Sequence, residues 1–142
     1  MTINLATAKQ VIAAVQAHAA EQGLKPLTVV VLDAGGHVVA AERQDTPAIG
    51  RFEIARGKAY GALAFGLGSR ALMNRAEQQP YFIAAATAAI GGALVPVPGG
   101  VLALDDAGRT LGAVGVSGDL SDADEAAAVA GLAAAGLTAK VD

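Results

Sequence analysis

The stretch LGAVGVSGDLSDADE, residues 111–125, is the most informative part of the sequence for the fold. It combines a strand of small apolar residues, a glycine turn and the acidic start of a helix. Gly112, Gly115 and Gly118 recur at every third position, which matches neither the strand period of two nor a nucleotide-binding G-x-G-x-x-G loop. Because strand glycines let a backbone or a flat ligand approach closely, we expect a cavity here, bordered also by His18 and Lys58.

The composition narrows the class of protein. A length of 142 residues suits one domain, residues 1–142, with a single core. Hydrophobic residues make up 54% of the chain and aromatic residues only 4%, so we expect a core of Ala, Val, Leu and Ile. The net charge of −3, with scattered basic residues, argues against a nucleic-acid partner. The absence of cysteine excludes disulfides and thiolate chemistry.

No targeting or membrane signal is found in the sequence. The first ten residues, MTINLATAKQ, lack the charged start and apolar core of a secretory signal. No apolar run reaches the ~18 residues that a membrane span requires. We therefore expect no membrane partner and a cytoplasmic location.

Turn and cap residues predict the order of helices and strands. The predicted elements are a helix capped by Asn4 and running to Gln22, strands at 27–32 and 37–42, helices at 51–65, 70–78 and 81–89, strands at 101–104 and 110–117, and a helix at 122–135. Ser69 and Ser121 are expected to cap the helices that follow them. The nearly apolar helix at 81–89 is expected to be buried. Tight turns join both strand pairs, which predicts an α+β domain with a largely antiparallel sheet.

Two histidines differ in their expected surroundings. His18 follows Val11 and Val15 along the first helix, so its ring should lie at the margin of the buried face. An imidazole there could ligate iron or another metal if its second nitrogen were held by an acceptor, or it could be a partly buried histidine bonded to backbone or water. His37 follows a Gly-Gly turn and should be exposed.

Charged residues of the central helix offer a second set of candidates. Glu53 and Arg56 are spaced for a surface ion pair. Lys58 follows a glycine, which costs a helix interior about 1 kcal/mol relative to alanine and suggests close packing. Its ammonium could face a pocket and hold a carboxylate, or act as a base if it is buried; the alternative is an ordinary surface lysine.

Near the C-terminus, Asp122, Asp124 and Glu125 could bind a cation. They could equally stabilise a helix N-terminus through the helix dipole. Ser117 ends the glycine-rich strand, but a serine nucleophile lacks support because the sequence has no G-x-S-x-G elbow and no histidine nearby.

Four stretches together resemble the GlcG/HbpS family, whose relatives include the C-terminal domain of PduO. They are VVVLDAGGHVVAAERQD, EIARGKAYGALAFG, VPVPGGVLAL and LGAVGVSGDLSDADE. The resemblance extends from about Thr2 to Leu137. It implies a profilin-like, five-stranded antiparallel sheet with helices packed on it, assembly as a homo-oligomer and, as in some members, heme binding.

The resemblance also implies particular site residues. His18 matches a first-helix position where some heme-binding members have a histidine, which makes it the implied iron ligand. Lys58 would balance a propionate. Other matches to recurrent motif positions are Gly99, Gly100, Ser117, Asp124 and Glu125. The chain departs from the family pattern at Thr46 and Pro47, where a Gly-Ala pair is usual, and it has no cysteine to serve as a second axial ligand. A single histidine ligand, or a hydroxyl or water opposite it, is compatible with the sequence.

Three functions are therefore open. The first is a small-molecule-binding domain for heme or a related tetrapyrrole, with a sensing, carrier or accessory role. The second is a cofactor-independent enzyme acting on a small organic acid or aromatic catabolite. In that enzyme Lys58 with Tyr60 or Tyr81 would orient the substrate, and Asp124 or Glu125 would move a proton; each tyrosine could also be ordinary core filling. The third is an oligomeric scaffold for a catabolic enzyme.

Overall fold

The computed structural model describes all 142 residues. The elements in chain order are α1 (Leu5–Gln22), β1 (Thr28–Asp33), β2 (Val38–Arg43), α2 (Arg51–Phe65), α3 (Ser69–Gln78), α4 (Pro80–Ala89), β3 (Gly100–Leu104), β4 (Thr110–Ser117), α5 (Ser121–Ala134) and β5 (Thr138–Lys140). None of these helices has both the length and the hydropathy needed to cross a bilayer.

The strands form one antiparallel sheet in the order β2-β1-β4-β3-β5. The two central strands run from a pair between Thr28 and Ser117 to a pair between Asp33 and Gly112. The predicted α+β architecture with a five-stranded antiparallel sheet is confirmed. The short edge strand β5 follows the last helix and was not signalled by any turn motif.

Each face of the sheet carries its own helices. Alternate residues of a strand point to opposite faces, and Val29 and Val31 pack with residues of α1 and α5. Val30 and Leu32, one position out of phase, pack with the alanines of α2. Helices α1 and α2 therefore lie on opposite faces of the sheet. A smaller cluster beneath α3 and α4 is built on Leu72, Ile83 and Leu94.

The side-chain caps predicted from the sequence form at one helix end and not at two others. Asn4 caps α1 as predicted, because its Oδ1 accepts the amide of Thr7 at 2.9 Å. The predictions for Ser69 and Ser121 are wrong, since neither side chain caps its helix. The Ser69 hydroxyl instead binds the backbone of Gly100.

The predicted burial of the helix at 81–89 is also wrong. Only Ile83 and Ala86 of α4 are buried, and Tyr81 is 71% exposed. Helix α4 packs beside α3 rather than on the sheet. The buried residues on one side of α4 are therefore enough to anchor it.

The predicted cavity beside the glycines of β4 does not exist. A Cβ atom added to Gly115 would lie 1.8 Å from the backbone oxygen of Ala55 in α2. At Gly112 the corresponding distance to the oxygen of Leu32 is 2.2 Å. The missing side chains bring strands and helix close together, and the space they leave is filled by backbone.

Candidate functional site

A buried ion pair joins the two layers of helices. Lys58 of α2 and Asp124 of α5 are 2% and 1% exposed, and Lys58 Nζ lies 3.1 Å from Asp124 Oδ2. The ammonium also donates to the backbone oxygen of Val116 at 2.9 Å. The other carboxylate oxygen, Asp124 Oδ1, accepts the amide of Asp119 at 2.9 Å. Both charged groups are thus hydrogen-bonded away from water, as burial demands.

Burial perturbs the protonation of both members of the pair. Desolvation lowers the pKa of Lys58 below its usual 10.5, and the charge of Asp124 opposes this shift. Desolvation likewise raises the pKa of Asp124 above its usual 3.8, and the charge of Lys58 opposes it. Arg51 further disfavours the charged form of Lys58. Lys58 holds a carboxylate, but one inside the protein. It lines none of the cavities, and the alternative of an ordinary surface lysine is wrong.

Gly99 and Gly100 leave room for this lysine. A Cβ atom on Gly99 would lie 2.8 Å from Lys58 Nζ, and one on Gly100 would lie 2.2 Å from the backbone oxygen of Lys58. The Ser69 hydroxyl fixes the start of β3 by accepting the amide of Gly100 at 2.7 Å and donating to its oxygen at 3.2 Å. The ligand contacts expected of these glycines remain predictions, while their packing role is visible.

Ser117 lies at a polar end of the sheet. It is fully buried, and its hydroxyl accepts a hydrogen bond from Arg51 Nη1 at 3.1 Å. Thr28, its neighbour across the sheet, is 1% exposed, and its hydroxyl has no hydrogen-bond partner. No histidine contacts Ser117, which agrees with the lack of support for a nucleophile.

The acidic residues at the start of α5 have separate partners. Glu125 accepts from Arg70 Nε through both carboxylate oxygens at 3.1 Å, and Asp122 binds the same guanidinium. Asp124 faces inward to Lys58. No three carboxylate or imidazole side chains are grouped as metal ligands, so the cation-binding alternative has no geometric support.

Neither tyrosine is hydrogen-bonded to this pair. Tyr60 is half-buried beneath the turn at Gly36, and Arg56 stacks over its ring at 5.2 Å from the centroid. The predicted ion pair between Glu53 and Arg56 does not form. Tyr81 points into solvent. Of the residues suggested for an enzyme, only Lys58 and Asp124 meet.

His18 is half-buried, as predicted, and its ring makes no hydrogen bond within the chain. His37 is exposed and pairs with Asp33 at 3.1 Å. Because His18 lies on α1 and Lys58 on α2, the two residues occupy opposite faces of the sheet. The expectation that they border one cavity is therefore wrong.

Four surface cavities are present, and neither His18 nor Lys58 lines any of them. The largest, about 420 Å³, lies between the start of α2 and the Gly91-Gly92 turn. A second, about 290 Å³, separates α1 from strand β2. A third, about 190 Å³, adjoins Arg51 and Gly118, and a fourth, about 180 Å³, adjoins Tyr60.

The sequence does not indicate a role for two polar residues of this region, Arg51 and Arg70. Arg51 and Arg70 each contact a residue more than 50 positions away, Ser117 and Glu125. Nothing in local spacing signals such contacts. The sequence predicts Ser69 as a helix cap, whereas its hydroxyl binds the backbone of Gly100, 31 positions away.

Together these features define an α+β domain with an antiparallel sheet between two helical layers, tied by a buried ion pair. The chain matches the family described as "Haem degrading protein HbpS-like" over residues 3–133. It belongs to that HbpS-like family, as the sequence motifs indicated. No protein among the curated sequences matches the chain.

Solved structures show the same fold. A structure of PduOC in complex with heme has a TM-score of 0.85 at 23% identity, over 96% of this chain and 97% of that one. The Klebsiella pneumoniae protein ORFY has a TM-score of 0.85 at 26% identity, covering 96% and 92% of the two chains. A double mutant of HbpS from Streptomyces reticuli has a TM-score of 0.79 at 25% identity, covering 94% and 86%.

Proposed function

We propose that this protein binds heme or a related tetrapyrrole and that His18 supplies the ligand to the iron. Membership of the HbpS-like family supports binding of this class of molecule, as does the likeness in fold to a PduOC structure that contains heme. The observation that carries the choice of His18 is its half-buried imidazole, which has no partner within the chain. Neutral imidazole is a common ligand of iron.

The position of His18 can be derived from the packing of α1 against α5. Val11 and Val15 contact α5, since a Cβ atom on Gly131 would lie 2.4 Å from Val15 Cγ2 and 2.9 Å from the oxygen of Val11. His18 follows these valines at helical spacing and therefore lies on the same flank. The flank of α1 that carries His18 thus faces α5.

The surface next to His18 is made of small residues. The amide of Lys25, just beyond α1, binds Asp119, just before α5, at 2.8 Å, so the two helices run antiparallel. One turn beyond the Val15–Gly131 contact, His18 therefore comes level with Ala127. Ala127 itself is fully buried in the core, and the half-buried positions next to it on this flank of α5 are Ala123 and Ala130. A low, apolar surface beside a free imidazole suits a flat macrocycle.

Lys58 has no part in this binding surface. Its side chain is 2% exposed, and its ammonium is already bonded to Asp124. A propionate could reach it only by displacing that carboxylate. The heme proposal therefore depends on His18 and the alanines of α5, and the mutation of Lys58 should act on stability alone.

The test is a titration of hemin into the purified protein, followed through the Soret band. His18→Ala should lose the spectrum of the histidine-ligated iron. His37→Ala, which removes an exposed imidazole elsewhere, is the matched control and should titrate like the unaltered protein. Identical Soret spectra for the His18→Ala variant and the unaltered protein would remove His18 from the proposal.

We further propose that the protein assembles as a homo-oligomer. The support is the resemblance to the family and the free edge of β2, where Val38 is 44% exposed; an unpaired strand edge is a ready site for association. Native mass spectrometry of the untagged protein tests this, and a monomer at micromolar concentration would refute it.

A further inference from the structure

We propose that the cavity between Lys25 and Arg51 is a binding site for a small oxyanion, a carboxylate or a phosphate. The cavity has a volume of about 190 Å³ and is lined by Lys25, Pro26, Thr46, Pro47, Ala48, Arg51 and Gly118. It lies where β1 begins and β4 ends, and the loop between β2 and α2 forms one wall. The site is separate from His18 and does not depend on the heme proposal.

The guanidinium of Arg51 carries the argument. It is part-buried, and its hydrogen-bond partner in the protein is the neutral hydroxyl of Ser117 at 3.1 Å. It belongs to none of the ion pairs of the structure. A guanidinium is a planar fork of donors that suits carboxylate and phosphate oxygens. Most of the N–H donors of Arg51 have no partner in the protein, and the residue borders an open cavity.

A second cation borders the same cavity. The ammonium of Lys25 also makes no ion pair. Asp119 lies close to it, but the oxygens of Asp119 accept the backbone amides of Lys25 at 2.8 Å and of Leu120 at 2.7 Å. Those bonds are the largest causes that lower the pKa of Asp119, and the charge of Lys25 lowers it further. An anion between Lys25 and Arg51 would receive charge-assisted hydrogen bonds from both sides.

Two features of the cavity's surroundings fit a binding site. Thr46 is the one non-glycine residue with a positive φ, 80°, and residues held in that region cluster at ligand sites. Beside Ser117, on the neighbouring strand, the buried hydroxyl of Thr28 has no hydrogen-bond partner. The strained loop and the unsatisfied hydroxyl both lie at this end of the sheet.

The cavity has room for a small ligand. Inorganic phosphate or a short-chain carboxylate fits within its volume of about 190 Å³, and a larger ligand would extend out of it into solvent. Pro26, Pro47 and Ala48 give the walls an apolar character that a carboxylate with a few methylene groups could contact.

The experiment is a pair of titrations at low ionic strength, where charge attraction is least screened. Sodium phosphate and sodium malonate are each added to the ¹⁵N-labelled protein, and the amide shifts of Thr46 and Gly118 are followed. The proposal expects saturable shifts with at least one anion, and the tighter of the two identifies the class of ligand. Linear shifts with both anions would overturn it.

Variants separate a built site from general charge attraction. Arg51→Gln and Lys25→Gln should each weaken binding by about tenfold, the loss expected for one charge-assisted contact. Arg56→Gln removes the same charge from the same helix outside the cavity and should bind like the unaltered protein. Equal weakening by Arg51→Gln and Arg56→Gln would refute the site. Lys25 is exposed, so its variant keeps the test decisive even if Arg51→Gln fails to fold.

Discussion

Lys58 Nζ and Asp124 Oδ2 lie 3.1 Å apart, and both side chains are almost completely buried. The pair connects α2, on one face of the sheet, to the start of α5, which packs with α1 on the other. Two layers that the sheet separates are thus joined by one ionic contact beside the strand ends at Gly99 and Val116.

We predict that Lys58→Met destabilises the protein by about 3–5 kcal/mol, because the Asp124 carboxylate is left buried without its cation. Asp124→Asn should also destabilise it, since the ammonium is then unpaired. The double variant should lose clearly less stability than the sum of the losses of the two single variants. Urea unfolding of all four proteins in a double-mutant cycle measures the coupling.

An exposed ion pair provides the control for that cycle. Arg109→Met breaks the contact to Asp105 at the surface, where Arg109 is 69% exposed and the carboxylate keeps its bonds to the amides of Ala107 and Arg109. Exposed pairs contribute at most about 1 kcal/mol, so this variant should be nearly as stable as the unaltered protein. Additive losses for Lys58→Met and Asp124→Asn would show that the buried pair is not a stabilising unit.

Gly115→Ala should destabilise the protein by about 2–3 kcal/mol or prevent folding, because its Cβ would lie 1.8 Å from the backbone oxygen of Ala55. Gly50→Ala is the matched control. Its backbone is right-handed, with a φ of −81°, and a Cβ there meets nothing within 4 Å. We expect its free energy of unfolding to change by less than about 0.5 kcal/mol. Similar losses for both variants would contradict the close packing of β4 on α2.

Two hairpin turns should make the protein sensitive to acid. Asp33 Oδ1 accepts the amides of Gly35 and His37, and Asp105 Oδ1 accepts those of Ala107 and Arg109. Backbone bonds from His37 and from Arg109 are the largest causes that hold the pKa of the two carboxyls below 3.8.

The sign of the effect follows from the lowered pKa values. The unfolded chain takes up protons on Asp33 and Asp105 before the folded protein does, so their contribution is present above pH 3.8 and is lost as the pH falls below it. Asparagine keeps an acceptor oxygen but does not titrate. The variant Asp33→Asn/Asp105→Asn should therefore lose less stability between about pH 5 and pH 2, a window that begins about one unit above the ordinary Asp pKa of about 3.9 and extends below it, as measured by chemical unfolding. If the double variant loses as much stability in acid as the unaltered protein, Asp33 and Asp105 are not the cause of the acid sensitivity.

Local residue patterns were sufficient to predict most of the fold. The Asp33 and Asp105 turns and the Asn4 cap act over a few residues, so their structure can be read from neighbouring positions. The edge strand β5 could not be read in this way. It is a three-residue strand whose only partner, β3, lies more than 30 residues earlier.

The candidate site was harder to predict because its contacts are long-range. The glycines of β4 suggested open space, but backbone from α2 and β1 fills it. Lys58 was recognised as unusual from its preceding glycine, yet its partner Asp124 is 66 positions away. The exposure of His18 followed directly from helical periodicity. Periodicity gives the side of a helix, whereas the pairing of charges needs the three-dimensional structure.

The most direct test of the central claim is a crystal structure of the protein grown with hemin. The proposal predicts iron within coordination distance of a ring nitrogen of His18, with the macrocycle against the α1–α5 surface that carries Ala123 and Ala130. Iron bound elsewhere, or a macrocycle on the α2 side of the sheet beside Lys58, would contradict it.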